Sequence, residues 1–233
     1  MQLMKTRLAL LLSLSSLSGA ALAQNNAIVI QNGEVISSKN DAGTSGAETS
    51  EVRAIEAFDS VELSAPAQAT FTFGPKSSIT VTAPADILQH VTTDVKGGRL
   101  EVSIKGSVIM TKSLKVAIVG PALKGVSIPG SGSFTVAGLK GESIDLRIPG
   151  SGSISAAGEL RSVRIDIAGS GEVDTRAVPS KMLEARISGS GSVRAYASDT
   201  ASVSVSGSGS VRIAGNPAHK IVKETGAGDI RFE

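Results

Sequence analysis

Two groups of side chains in this sequence are spaced so that they could do chemistry. Glu172 and Asp174 stand two residues apart, so on a β-strand both carboxylates project to one face, and Arg194 follows twenty residues later. Clustered carboxylates with an arginine are what a polysaccharide lyase or hydrolase uses, as an acid/base pair or around calcium. The same three residues also make an ordinary surface ion pair. That second reading is preferred, because aromatic residues to stack on sugars are scarce: no Trp, one Tyr (Tyr196) and five Phe. The second group is Arg194, Arg212 and Arg231, one per repeat of the pattern described below. Stacked guanidinium groups repel unless they splay into solvent or hold an anion, so the column is a candidate ridge for an acidic glycan, a lipid head group or partner carboxylates.

Other schemes find no support. His90 and His219 lie in different regions, and neither has a partner at metal-ligand spacing. Gly-x-Ser-x-Gly, Gly-x-Gly-x-x-Gly and a Gly-Lys pair are all absent. Calcium-binding glycine-rich repeats need an aspartate in every turn, whereas acid follows the glycines only at Glu172–Asp174 and Asp229. No catalytic residue, metal or cofactor is therefore expected.

The elements that position these residues are repeats. Gly-Ser-Gly starts at Gly130, Gly150, Gly169, Gly189 and Gly207, with Gly-Ala-Gly at Gly226, at intervals of 18 to 20 residues. A β-rich phrase at such a period predicts a solenoid with coils of about 19 residues. Stacking the coils on the first glycine puts Ile128, Ile148, Ile167, Ile187 and Val205 in one column, and Phe134, Ile154, Val173, Val193, Val211 and Ile230 in another. The period-two alternation within each coil is that of half-buried strands. The last coil carries Glu224 where the others carry Ile or Val, which suits a terminal coil facing water.

Between the apolar columns, charges alternate from coil to coil: Asp145, Arg164, Glu184 in one column and Arg147, Asp166, Arg186 in the next. Coils lie roughly 4.8 Å apart, so Arg164 should stand beside Asp145 and Glu184, and Arg186 beside Asp166, with their heads in water. The glycines read as tight corners, and the serines between them could stack as a hydroxyl ladder.

The front of the chain has different signals. Lys5 and Arg7, the apolar run Leu8–Leu17 and Ala21-Leu22-Ala23 predict a secretory signal over 1–23, too short to span a membrane. Removing it takes away two of 23 basic residues against 21 acidic ones, leaving a balanced charge and no argument for nucleic acid. There is no cysteine, hence no disulfide framework. Residues 24–50 read as a flexible leader rather than as a hairpin at Asn32-Gly33. From 51 to 233 one β domain is expected: less regular coils over 51–123, with a helical turn near Asp86–Val91, then regular coils over 124–233.

Ala57-Phe58-Asp59-Ser60-Val61-Glu62-Leu63, Phe71-Thr72-Phe73-Gly74, Val95-Lys96-Gly97-Gly98-Arg99-Leu100-Glu101-Val102, Gly120-Pro121-Ala122-Leu123 and the Gly-Ser-Gly ladder occur in that order. In this the chain resembles the GIN-domain family of auto-transporter adhesin head domains over roughly 51–233. The resemblance implies a right-handed parallel β-helix from about Val52 to Phe232, a bacterial envelope location, in the periplasm or at the surface, and no active site. The leading expectation is an exported, non-enzymatic module that binds a polymer such as an acidic glycan, or another envelope protein. The alternatives are a scaffold assembling through its coil ends and a polysaccharide-degrading enzyme. Glu224, Asp229 and Arg231 in the last coil discourage end-to-end growth, so a monomer is expected.

Overall fold

The computed structural model describes residues 48–106 and 114–233, with the backbone of two short strands at Val29–Gln31 and Glu34–Ile36. The expected signal segment 1–23 lies outside the described residues. Within the expected leader, Val29–Gln31 and Glu34–Ile36 pair antiparallel, with Gln31 opposite Glu34, as a hairpin closing at Asn32-Gly33 requires. Residues 1–42 and 43–233 form separate units.

The larger unit is a parallel β-solenoid. Its regular part follows the predicted register: Ile148 lies beside Ile167 and Ile167 beside Ile187, and Phe134, Ile154, Val173, Val193 and Val211 are successive neighbours in a second column. All of these side chains are buried, as alternation on a one-sided strand demands. The corners explain the glycines. A Cβ on Gly152, Gly171, Gly191 or Gly209, the second glycine of its triplet, would meet the Ile Cγ2 of the preceding coil, at 2.5 Å for Gly171 against Ile148 and 2.7 Å for Gly191 against Ile167. The core isoleucine column and the glycine column are thus one packing unit. The ladder at the corners is backbone: Ser190 N–H donates to Gly169 O and Ser208 N–H to Gly189 O, each at 2.9 Å, while both serine side chains face solvent.

The N-terminal coils depart from the expectation of a simple parallel stack. Ser60–Leu63 pairs parallel with both Gly125–Ser127 and Arg99–Ile104, and Ala67–Phe73 pairs parallel with both Ser133–Val136 and Leu114–Gly120. The coil strands Arg99–Ile104 and Leu114–Gly120 therefore lie outside Ser60–Leu63 and Ala67–Phe73, and order in space is not order in sequence. Beyond that outermost coil the strands run antiparallel: Val91–Lys96 against Arg99–Ile104, Ser78–Pro84 against Leu114–Gly120, and Glu48–Ala54 against Ser78–Pro84. The expected helical turn is Ala85–Leu88, and it buries Ile87 and Leu88. Alternation cannot tell parallel from antiparallel partners, which is why the sequence reading missed this arrangement.

Candidate functional site

The arginine column forms in the predicted register. Asp174 lies beside Arg194, Arg194 beside Arg212, and Arg212 beside Arg231, on the strands Glu172–Ala177, Ser192–Tyr196, Ser210–Ala214 and Asp229–Phe232. Outward placement follows from the buried valines that alternate with them, Val173, Val193 and Val211. The three arginines are not equivalent. Arg194 is paired with Glu172, diagonally across one coil, and Arg231 Nε donates to Asp229 Oδ1 at 3.0 Å. Arg212 has no carboxylate partner among the described residues and is exposed. A small hollow of about 70 Å³ lies between Ser192, Arg194, Ser210 and Arg212.

The carboxylates Glu172 and Asp174 do share a strand and a face, yet each is engaged separately. Arg176 holds Asp174 from three donors: its backbone N–H at 3.1 Å, Nε at 3.2 Å and Nη2 at 2.7 Å. These hydrogen bonds hold the Asp174 carboxyl below the usual carboxylate range and raise the Arg176 guanidinium. A carboxyl kept ionised in this way is a poor general acid, which needs a raised pKa. Among the described residues, no group of three or more His, Cys, Asp or Glu side chains is arranged to hold a metal.

The neighbouring charge lattice also forms, with one difference in detail. Arg164 Nε stands 2.9 Å from Glu184 Oε2 and 3.9 Å from Asp145 Oδ1. Arg186 is the register neighbour of Asp166, but its head pairs with Glu184 along its own strand. A flexible arginine reaches a carboxylate two residues away on the same face as readily as one in the next coil, so register alone does not choose the partner.

A further side of the solenoid carries a groove that sequence reasoning did not single out. One stretch, about 690 Å³, is lined by residues including Lys140, Glu159, Arg161, Lys181 and Tyr196. Another, about 650 Å³, is lined by Phe73, Leu123, Lys124, Gly138 and Glu142 among others, and both include Lys140 and Gly141. The signal that could have found it is Lys140, Arg161 and Lys181, which recur at nearly the coil period but drift against the glycine frame.

Stacked coils whose outward charges pair along and between neighbouring strands define a β-solenoid. Consistent with this, a family profile for the "Putative auto-transporter adhesin, head GIN domain" matches residues 57–217, and the chain belongs to that family. Among solved structures, one described as a "putative adhesin" from Bacteroides fragilis superposes with a TM-score of 0.69 at 19% identity, covering 80% of this chain and 97% of that one. Another "putative adhesin", from Parabacteroides distasonis, gives a TM-score of 0.55 at 18% identity, covering 81% and 98%. A "Putative lipid binding protein" from the same species gives 0.51 at 21% identity, covering 81% and 97%. At these identities the likeness shows the fold alone. A search of curated proteins found no match. No helix among the described residues is long and apolar enough to cross a membrane.

Proposed function

We propose that this protein is an exported, non-enzymatic binding module of a bacterial cell envelope, one that engages an acidic glycan or a partner protein through the side of its solenoid. The observation that carries the reading is the column Arg194, Arg212 and Arg231, in direct register over three coils, with the middle guanidinium exposed and without a carboxylate partner among the described residues. An anion bridging neighbouring arginines would relieve their repulsion and accept bidentate hydrogen bonds. The signal-like segment 1–23 supports export, and the adhesin names borne by the family and by its structural neighbours support a binding role. Asp174, held ionised by Arg176, argues against acid catalysis.

The test is retention on an anionic polysaccharide column at low salt. The triple variant Arg194→Ser, Arg212→Ser, Arg231→Ser should elute earlier than wild type while melting at the same temperature, and wild-type retention should fall steeply as salt shortens the Debye length. Equal retention of the two proteins would remove the column from the mechanism. The scaffold reading draws on the last coil, whose strand His219–Gly226 pairs with Thr200–Gly207 on one side and is exposed throughout. A molar mass from light scattering that rises with protein concentration would favour it over the monomeric binding module.

A further inference from the structure

We propose that the groove running from Phe73 and Leu123 past Lys140 and Gly141 to Lys181 and Tyr196 is a binding cleft for a single anionic polysaccharide strand, with Tyr196 as the platform for a sugar ring. The inference deepens the binding-module reading and rests on it, and it extends the contact from the arginine column into the adjoining groove, since Tyr196 stands two residues from Arg194 on the outward face of the strand Ser192–Tyr196.

The groove exists because small residues and bare backbone form its floor. Gly138 and Gly141, which line it, both have positive φ (78° and 138°), a conformation that side-chain-bearing residues rarely adopt. The trough passes over successive coils at 121–124, 138–143, 159–161, 179–181 and 196–198. With about 4.8 Å between coils, it runs along the solenoid axis for roughly 20 Å, a length suited to an extended polymer.

Its far end is built. The hydroxyl of Ser180, itself only 3% exposed, donates to the Tyr196 carbonyl at 2.7 Å, and the Ser198 hydroxyl donates to the Ser180 carbonyl at 3.3 Å. The Tyr196 ring lies over Gly215, where a Cβ would stand 2.8 Å from the ring. The ring is therefore held close against the backbone while remaining half exposed. A fixed, half-exposed aromatic beside polar groups is the usual anchor for an amphipathic ligand.

Charge selects the class of polymer. Lys140 and Lys181 make no ion pair among the described residues, Arg161 stands 3.8 Å from Glu142, and Lys124 is paired with Asp59 at 2.8 Å. Glu142 and Glu159 lie among these cations, and Glu159 is the register neighbour of Lys140 without pairing to it. Interleaved carboxylates repel a polymer whose charges follow at the short spacing of a phosphate backbone. They accommodate a chain whose charges are spaced by ring-sized, hydroxyl-bearing units, as in a uronate-containing glycan.

The experiment is calorimetric titration of the full chain at low salt with oligogalacturonate, and with dextran and polyphosphate as controls. Oligogalacturonate should bind and dextran should not. Lys140→Gln with Lys181→Gln should weaken oligogalacturonate binding about tenfold, and Tyr196→Ala about fivefold, and the triple arginine-to-serine variant, which removes the adjoining column, should weaken it as well. Lys181→Gln alone, at an exposed side chain, should still weaken binding measurably if Tyr196→Ala proves unstable. Loss only in the triple arginine variant would overturn the groove and leave the arginine column standing. Wild-type affinity in every variant, or no binding of oligogalacturonate, would overturn the groove, and unchanged column retention of the triple variant would separately end the arginine reading. Polyphosphate binding as tight as oligogalacturonate and indifferent to Tyr196→Ala would show a charge effect alone and overturn the glycan assignment.

Discussion

The two ends of the solenoid solve the same problem in opposite ways. At the outer strands Arg99–Ile104 and Leu114–Gly120, the chain folds back on itself: Ser78–Pro84 and Val91–Lys96 add antiparallel strands, and Ile79, Val81, Ile87, Leu88 and Val91 become part of the continuous core. Arg53 ties this cover together, donating to the Val91 carbonyl at 2.7 Å and the Leu88 carbonyl at 3.2 Å. At the other end there is no such cover among the described residues. The three positions of the last coil that continue the buried columns of Ala201, Val203 and Val205 are Lys220, Val222 and Glu224. The Lys220 ammonium sits 4.7 Å from the centre of the Phe232 ring, spreading its stem over an apolar group that would otherwise face water. One end is closed with apolar mass, the other with charge pointing where the core would be. Inward charge of this kind resists growth by addition of another sheet.

If the ends differ from the middle in this way, the same substitution should cost very different amounts at different coils. Ile167→Asp places a charge in a fully buried column and should cost about 3–5 kcal/mol, enough to unfold the regular coils in urea at concentrations the wild type survives. Val222→Asp, where the side chain is 48% exposed, should cost below about 1 kcal/mol by the same measurement. Equal losses would show that the last coil is packed as tightly as the middle.

A smaller contrast is expected at the corners. Gly171→Ala pushes a methyl to 2.5 Å from Ile148 Cγ2 and should cost about 1–3 kcal/mol, whereas Gly228→Ala meets Val205 Cγ1 at 2.9 Å in a coil free to shift and should cost less. Thermal melts of the two variants side by side decide it, and a Gly171→Ala protein that melts like wild type would break the link between the glycine and isoleucine columns.

The smallest effect is electrostatic. The Asp174 carboxyl is lowered by hydrogen bonds from Arg176, so its contribution is present above the ordinary carboxylate range and is lost as pH falls through the lowered value. Asp174→Asn should therefore be slightly less stable than wild type at neutral pH and should converge with it in acid. A difference between the two proteins that persists unchanged in strong acid would show that packing, not charge, accounts for it.

Much of the regular half was legible because each of its signals depends only on local chemistry repeated in phase. The Gly-Ser-Gly corners set the coil boundaries, alternation set which side chains turn inward, and Asp145, Arg164 and Glu184 set the register, since a slip by one residue would bury them. The antiparallel cover was not legible, because Ile79-Thr80-Val81 alternates identically whichever direction its neighbours run. The groove escaped for a related reason: its cations come from different coils, Lys140 and Arg161 from within long strands and Lys181 from a bend, and are brought into line only by stacking.

By itself the sequence determined the solenoid, its coil length, the inward columns and the arginine ladder, because a periodic pattern of burial and charge has one in-phase arrangement that satisfies it. Tertiary structure alone decided that Arg99–Ile104 and Leu114–Gly120 lie outside Ser60–Leu63 and Ala67–Phe73 and that antiparallel strands close that end. It also decided that Arg186 turns to Glu184 instead of Asp166, and that Tyr196 rests against Gly215 at the end of a basic groove. Each of these depends on which surfaces meet across coils, and contacts between positions far apart in sequence are set by the packing of the whole stack rather than by the residues on either side.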